Sequence, residues 1–274
     1  MAERTVFVVS DRTAVTAEAL GNSLLTQFED VTFKQITVPF VDTKEKARDV
    51  AAKINFISKR EASRPIVIAS LVQDEVREEL LKCDGLVLDF FDAFLGPLEV
   101  ELDRKCSHTL GRAHGMSDPK RYNMRIEATN FAMSSDDGQG VQHYHQADLI
   151  LMGVSRSGKT PTCLYLALQY GVFAANYPLA EEDLESGRLP QVLDGFRAKI
   201  YGLTISPERL RQIRLERRSV GRYATAQQVN FELRAAENLF RRFSIPSIDT
   251  THSSIEEIAS TILNDTGIER RVHS

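Results

Sequence analysis

Along the first hundred residues, short continuous apolar runs alternate with stretches whose apolar positions recur every three or four residues. Thr5–Ser10 (TVFVVS) is a β-branched run of the kind that forms a strand covered on both faces. Leu20, Leu24, Leu25 and Phe28 then mark one stripe of a helix whose predicted cap is Thr16. Val31–Val41 reads as a second strand broken by Pro39. Asp42 with Glu45 forms a capping pair for a helix that turns Ala47, Val50, Ala51, Ile54 and Ile57 inward. Pro65–Val72 and Gly85–Phe91 predict the third and fourth strands, with a helix over Gln73–Lys82 between them. Four such β/α alternations imply a mostly parallel sheet with helices on its faces.

From Leu95 to Gln146 the rhythm lapses into polar sequence rich in His, Arg and Gly, with one helix expected over Met124–Met133. It returns at Ala147 with a strand (ADLILMGV), a glycine-rich turn and a striped helix (TPTCLYLALQY) for which Gly171 is the expected C-cap. VFAANYPL (172–179) and AKIYGLTI (198–205) predict further strands, and the remainder reads as mainly helical.

Composition narrows the class only a little. The 42% hydrophobic and 26% charged residues suffice for a real core and exclude wholesale disorder. A net charge of −4 argues against a nucleic-acid coat or a polybasic membrane binder. No apolar run approaches the ~20 residues that cross a bilayer, and the opening MAERTVFVVSD lacks the architecture of a secretory signal. The three cysteines match neither a disulfide framework nor a zinc spacing. These features predict a soluble cytoplasmic protein with neither nucleic acid nor membrane as partner.

The sharpest motif is Gly153-Val154-Ser155-Arg156-Ser157-Gly158-Lys159-Thr160, which satisfies G-x-x-x-x-G-K-[ST] between a predicted strand and a predicted helix. Glycines allow the backbone N–H groups to turn inward around phosphate oxygens, and the following helix aims its positive end at the same anion. Lys159 would contact the outer phosphates, and the Thr160 hydroxyl would bind Mg²⁺. Pro161 removes one amide from the cradle. A second Mg²⁺ carboxylate is open between LVLDFFD (86–92) and Asp136-Asp137. Asp137 is a candidate metal ligand or base, against an ordinary turn aspartate. His114, between two glycines, is a candidate phosphate contact or acid–base group, against a surface histidine. Ser10-Asp11 ends the first strand, where open parallel sheets place ligands. Arg211, Arg214 and Arg218, with Arg217 beside them, either close over phosphates or form a solvated face.

GVSRSGKTPT followed by YLALQYGVFAANYPL (165–179) resembles the bifunctional kinase–pyrophosphorylases that regulate phosphoenolpyruvate synthase and pyruvate phosphate dikinase. VFVVSDRTAVTAEALGNSLLTQF (6–28), RIEATNFAMSSDDG (125–138), GLTISPERLRQIRLERR (202–218) and SIEEIASTILNDTG (254–267) extend the resemblance along nearly the whole chain. ITVPFV (36–41) and GIERR (267–271) look more like the synthase branch. The resemblance implies a kinase that uses ADP to phosphorylate and inactivate phosphoenolpyruvate synthase on a threonine. It implies reactivation by inorganic phosphate with release of pyrophosphate, and a homodimer. Catalysis would rest on Lys159, Asp137 and His114, nucleotide binding on residues 153–160, and the metal on Thr160. Two departures stand out: Arg12 where the opening block usually reads S-D-G-T, and Ser135 where the middle block usually has His before D-D-G. The expected fold is α/β, with an N-terminal parallel β/α domain (1–105) and an irregular signature-bearing connector (106–146). A P-loop kinase-like domain with a helical C-terminal region (147–274) follows. An ATP-dependent small-molecule P-loop kinase and a non-catalytic nucleotide-sensing module are the alternatives.

Overall fold

A computed structural model of the chain describes residues 3–109, 119–217 and 222–272. The fold is α/β, and the chain divides into two units, Met1–Gly115 and Met116–Ser274. In the first, strands β1 (Glu3–Ser10), β2 (Thr32–Val38), β3 (Ile66–Ser70) and β4 (Leu86–Asp89) form one sheet in the order β2-β1-β3-β4, every pairing parallel. Alternation along β1 explains why its stretch Val6–Val9 is apolar on both faces. Val6 and Val8 pack with Ala17 and Leu25 of helix α1 (Val15–Leu25), while Phe7 and Val9 pack on the other face with α2 (Lys44–Glu61) and α3 (Asp74–Leu80).

Several local expectations change. The chain enters α1 through Ala14, in the left-handed region at φ 67° and without a side-chain cap, so Thr16 lies inside the helix. The helix buries Ala17, Gly21 and Leu25 and leaves Leu24 and Phe28 exposed. A Cβ on Gly21 would stand 2.8 Å from Ile68 Cδ1, so α1 seats on the sheet through its smallest residues and its leucine stripe rotates outward. Helix α2 does bury Ala47, Val50, Ala51, Ile54 and Ile57, but its cap is Thr43, which accepts from Lys46 N–H, while Asp42 pairs with the Lys46 ammonium. The fourth strand stops at Asp89, whose carboxylate accepts the N–H groups of Phe91 (2.9 Å) and Asp92 (3.0 Å) and so starts α4 (Phe90–Leu102). That helix runs on through Gly96-Pro97 into the stretch where the rhythm lapses, and it buries none of its residues.

The second unit repeats the plan. Helix α5 (Pro119–Ser134) contains the helix expected over Met124–Met133 and extends it back to Pro119. Strands β5 (Leu149–Gly153), β6 (Ala174–Pro178), β7 (Ile200–Thr204) and β8 (Ser247–Asp249) form a parallel sheet in the order β6-β5-β7-β8. Leu149 and Leu151 face α5, α6 (Lys159–Tyr170) and, near the end of the chain, α10 (Ile255–Thr266). Ile150 and Met152 face α7 (Glu181–Ser186), α8 (Pro207–Arg217) and α9 (Ala226–Arg242). Gly171 ends α6 in the left-handed region (φ 66°), as expected. In each unit the first strand has its second strand on one side and its third on the other. The chain therefore reverses direction across the sheet between β1 and β3, and again between β5 and β7. Open parallel sheets bind ligands at the carboxyl ends of such strands. Among the described residues no helix is long and apolar enough to cross a membrane.

Candidate functional site

The glycine-rich segment joins the end of β5 to the start of α6, at the second sheet's reversal point. Its two glycines answer different needs. A Cβ on Gly153 would lie 2.6 Å from the Leu203 carbonyl oxygen, so backbone proximity forbids a side chain there. Gly158 has φ 93°, a conformation that side chains rarely tolerate. Arg156 is also left-handed (φ 75°) and keeps its side chain exposed.

The carbonyls of this loop are held from outside. Lys159 Nζ donates to Val154 O at 2.8 Å, Arg214 to Ser155 O at 3.1 Å, Thr250 Oγ1 to Ser157 O at 3.2 Å and Thr162 Oγ1 to Gly158 O at 2.9 Å. By contrast, the N–H groups of Ser155, Arg156 and Gly158 have no backbone acceptor among the described residues. A loop with its acceptors occupied and its donors free presents positive potential to whatever enters it. Ser157 adds a buried hydroxyl with no hydrogen-bond partner. Lys159 is only 4% exposed, and burial pushes its ammonium from the usual 10.5 down to about 8; the charge of Asp137 is the largest influence opposing that fall.

The turn Asp136–Gly138 supplies the carboxylates. Asp136 Oδ1 accepts from Thr160 Oγ1 at 2.8 Å and from the Asn176 amide, which also donates to Thr160 Oγ1 at 3.0 Å. Asn176 N–H holds the turn in place by donating to Ser135 O at 3.1 Å. Asn176 is 1% exposed and its own Oδ1 has no partner. Asp137 is exposed and held at φ 49°, with Gly138 following at φ 74°. Of the two candidates for a second carboxylate, Asp136 is the one that accepts a hydrogen bond from the Thr160 hydroxyl. Asp89 and its neighbours belong to the first unit, where Asp89 caps α4.

Among the described residues no group of three His, Cys, Asp or Glu side chains could hold a metal by itself. The all-oxygen pair of Asp136 and Thr160, with the orphaned Asn176 oxygen beside it, suits Mg²⁺, which completes its shell with ligand phosphates and water. His114 and Arg218 lie outside the described residues. Arg211 and Arg217 are exposed, but Arg214 is fully buried and is neither lid nor solvated face. Its guanidinium bonds Glu232 (2.6 Å), Tyr223 O (2.9 Å) and the loop itself, and stacks 4.1 Å from the Tyr223 ring centre. Tyr223 in turn bonds the Ser155 hydroxyl at 2.9 Å. Ser135 is fully buried, and its hydroxyl has no partner.

Sequence reasoning reached two of these residues without fixing what they do: Arg214 as one of a row of arginines, and Asn176 as a residue at the end of a strand that spacing alone does not bring to the site. Arg214 sits four positions after the buried Leu210, so the same helical face that carries the leucine inward carries the guanidinium inward. Asn176 lies within β6 opposite Leu151, on the sheet face that α6 covers, and nothing in its spacing from the motif announced that.

A sequence profile of the kinase/pyrophosphorylase family matches residues 6–263. Relatives named as phosphoenolpyruvate synthase regulatory proteins match over nearly full length. One from Laribacter hongkongensis is 53% identical over 98% of this chain and 98% of its own. One from Halorhodospira halophila is 53% identical over 98% of each, and one from Stutzerimonas stutzeri 50% identical over 98% of this chain and 99% of its own.

Proposed function

The chain belongs to the kinase/pyrophosphorylase family, and from that membership we propose that it is a bifunctional serine/threonine phosphotransferase acting on phosphoenolpyruvate synthase. In the forward direction a threonine hydroxyl of the target attacks the β-phosphorus of ADP. The bond from that phosphorus to the bridging oxygen breaks, AMP leaves, and the hydroxyl proton passes to a base. In the reverse direction an oxygen of inorganic phosphate attacks the phosphothreonine phosphorus, forming pyrophosphate and returning the hydroxyl. The observation that carries this reading is the loop at 153–160, with its carbonyls tied back, its amides free and a buried lysine at its end.

Both directions move a phosphoryl group beside a second phosphate, so one cradle serves them. Lys159 neutralises charge gathering on the transferred group, which is where most catalysis of such transfers resides. The free amides of Ser155, Arg156 and Gly158 orient the flanking phosphate, and the exposed Arg156 reaches its outer oxygens. Asp136 and Thr160 would hold Mg²⁺, which supplies charge neutralisation on the phosphate oxygens when bound. Asp137, exposed and close enough to influence Lys159, is the base for the attacking hydroxyl.

Incubation with phosphoenolpyruvate synthase and either ADP or ATP, followed by intact-mass measurement of the target, tests the reading. Gain of one phosphoryl group with ADP, reversed by phosphate with pyrophosphate released, is expected. Transfer from ATP to a small acceptor, or nucleotide binding without turnover, would refute it. Lys159→Ala is expected to abolish both directions, and survival of either would show that they do not share this loop.

A further inference from the structure

Packing alone does not explain Asn176. It stands within β6, opposite Leu151, and is 1% exposed. Ala174, two positions earlier on the same sheet face, shows that an apolar residue suits this environment. A buried asparagine brings two N–H donors and a carbonyl oxygen, and such groups ordinarily all find partners. Here Nδ2 serves both Asp136 Oδ1 and Thr160 Oγ1, while Oδ1 has no partner among the described residues.

The three polar atoms are mutual neighbours. Thr160 Oγ1 lies 2.8 Å from Asp136 Oδ1, and Asn176 Nδ2 lies 3.0 Å from Thr160 Oγ1 and 2.5 Å from Asp136 Oδ1. They form a small triangle whose corners come from a strand, the first turn of α6 and the 136–138 turn. The last of these is tied to β6 through Asn176 N–H and Ser135 O. Mg²⁺ takes octahedral oxygen ligands at about 2.0–2.1 Å, so two neighbouring ligands stand about 2.9 Å apart. Ca²⁺, at about 2.3–2.6 Å, would set the same edge at about 3.3–3.7 Å. The triangle has the edge of the smaller ion, and only its nitrogen corner is wrong for a metal. Half a turn of the amide puts Oδ1 where Nδ2 now stands, with the backbone unmoved. One end of the amide lacks a partner in either orientation, so what fills the triangle decides between them.

We propose that Asn176 is the third protein ligand of the metal site. Its amide turns over on metal binding, so that Oδ1 joins Asp136 Oδ1 and Thr160 Oγ1 in one octahedral face sized for Mg²⁺ and too small for Ca²⁺. The set carries one negative charge, so tight binding waits for the phosphate oxygens of a nucleotide to fill opposing positions. The proposal rests on the nucleotide-phosphate reading of the loop at 153–160, and does not depend on which protein is the target.

Mn²⁺, a paramagnetic stand-in for Mg²⁺, reports binding through loss of its free-ion resonance, without any transfer reaction. With ADP present, one Mn²⁺ per chain is expected, displaced by Mg²⁺ and not by the same concentration of Ca²⁺. Asn176→Ala should weaken Mn²⁺ binding about tenfold or more, since even loss of an outer-shell partner of a ligand costs about 10–100-fold. Asn176→Asp keeps the shape and puts oxygen at that corner in either orientation, so it should bind Mn²⁺ at least as tightly as wild type. Asn176→Cys separates ligation from mere support. A thiolate in the triangle prefers soft Cd²⁺, and titration with Cd²⁺ and ADP should raise a thiolate-to-metal ultraviolet band in excess of that of wild type, saturating at one ion per chain. No added band, Asn176→Asp binding as weakly as Asn176→Ala, or equal displacement by Ca²⁺ would each overturn the proposal. Calorimetry with ADP keeps the two readings apart. A chain that binds no ADP overturns the nucleotide reading and the proposal with it, whereas ADP binding without the added band overturns the proposal alone.

Discussion

Replacing Lys159 by Met should stabilise the unliganded protein while removing its activity. An ammonium moved from water to a site 4% exposed resists its charge, which is why its pKa falls from 10.5 to about 8. That fall corresponds to about 3 kcal/mol of destabilisation while both folded and unfolded chains carry the charged lysine. Methionine fills similar space without charge, but the substitution also takes one donor from Val154 O, at a cost of about 1 kcal/mol. The net gain for Lys159→Met is then about 2 kcal/mol near neutrality, read as a higher urea midpoint with unchanged slope. The sign of the pH dependence follows from proton counts. Above about 8 the folded protein has released the Lys159 proton while the unfolded chain keeps it until 10.5. The unfolded state therefore binds more protons in that window, and wild-type stability rises with pH relative to the variant. The difference should shrink by about 1.4 kcal/mol per pH unit above about 8, vanish near about pH 9.5, and leave wild type about 1 kcal/mol the more stable by 10.5. A variant no more stable than wild type near neutrality would refute the reasoning, as would a gap that does not change with pH.

The same lysine makes nucleotide affinity pH-dependent: above about 8 the Kd for ADP should weaken, by up to about tenfold per pH unit, with proton uptake on binding visible as buffer-dependent calorimetric heats. Arg214→Met strands Glu232 and two backbone carbonyls, so denaturation should show a loss of about 3–5 kcal/mol. Arg214→Lys keeps the charge but lacks the fork, and should fold while raising KM for ADP more than it lowers kcat. Asp136→Asn should leave stability within about 1 kcal/mol, because Thr160 and Asn176 retain a partner oxygen, yet raise the Mg²⁺ concentration needed for half-maximal transfer. Gly153→Ala forces a methyl to within 2.6 Å of the Leu203 carbonyl oxygen and should lower the thermal midpoint of the second unit.

Strand existence and order of elements were legible because β1, β3 and β5 are covered on both faces and so read as continuous apolar runs. The motif at 153–160 was legible because the loop's demands on φ and on close approach select glycine at fixed positions. What escaped was set by neighbours distant in sequence. Leucine periodicity on α1 was outvoted by the close approach that Gly21 permits to Ile68, a residue on another strand. Helix α4 was missed because it carries no buried stripe to mark it. The arginines of α8 could be ranked only once Tyr223 and Glu232 were seen to enclose one of them. Spacing could not favour Asp136 over Asp89, since both follow plausible elements; the hydrogen bond from Thr160 to Asp136 joins residues 24 positions apart, in the turn that Asn176 holds.

The supports of the loop come late in the chain. Arg214 reaches back 59 residues to Ser155, and Thr250 reaches back 93 residues to Ser157. A nascent polypeptide has therefore synthesised the whole motif by Thr160 but cannot hold it in shape until the segment through Thr250 has left the ribosome. Fragments that end between those points carry the signature without the site. A product that stops short of Thr250 is therefore expected to lack phosphoryl-transfer activity.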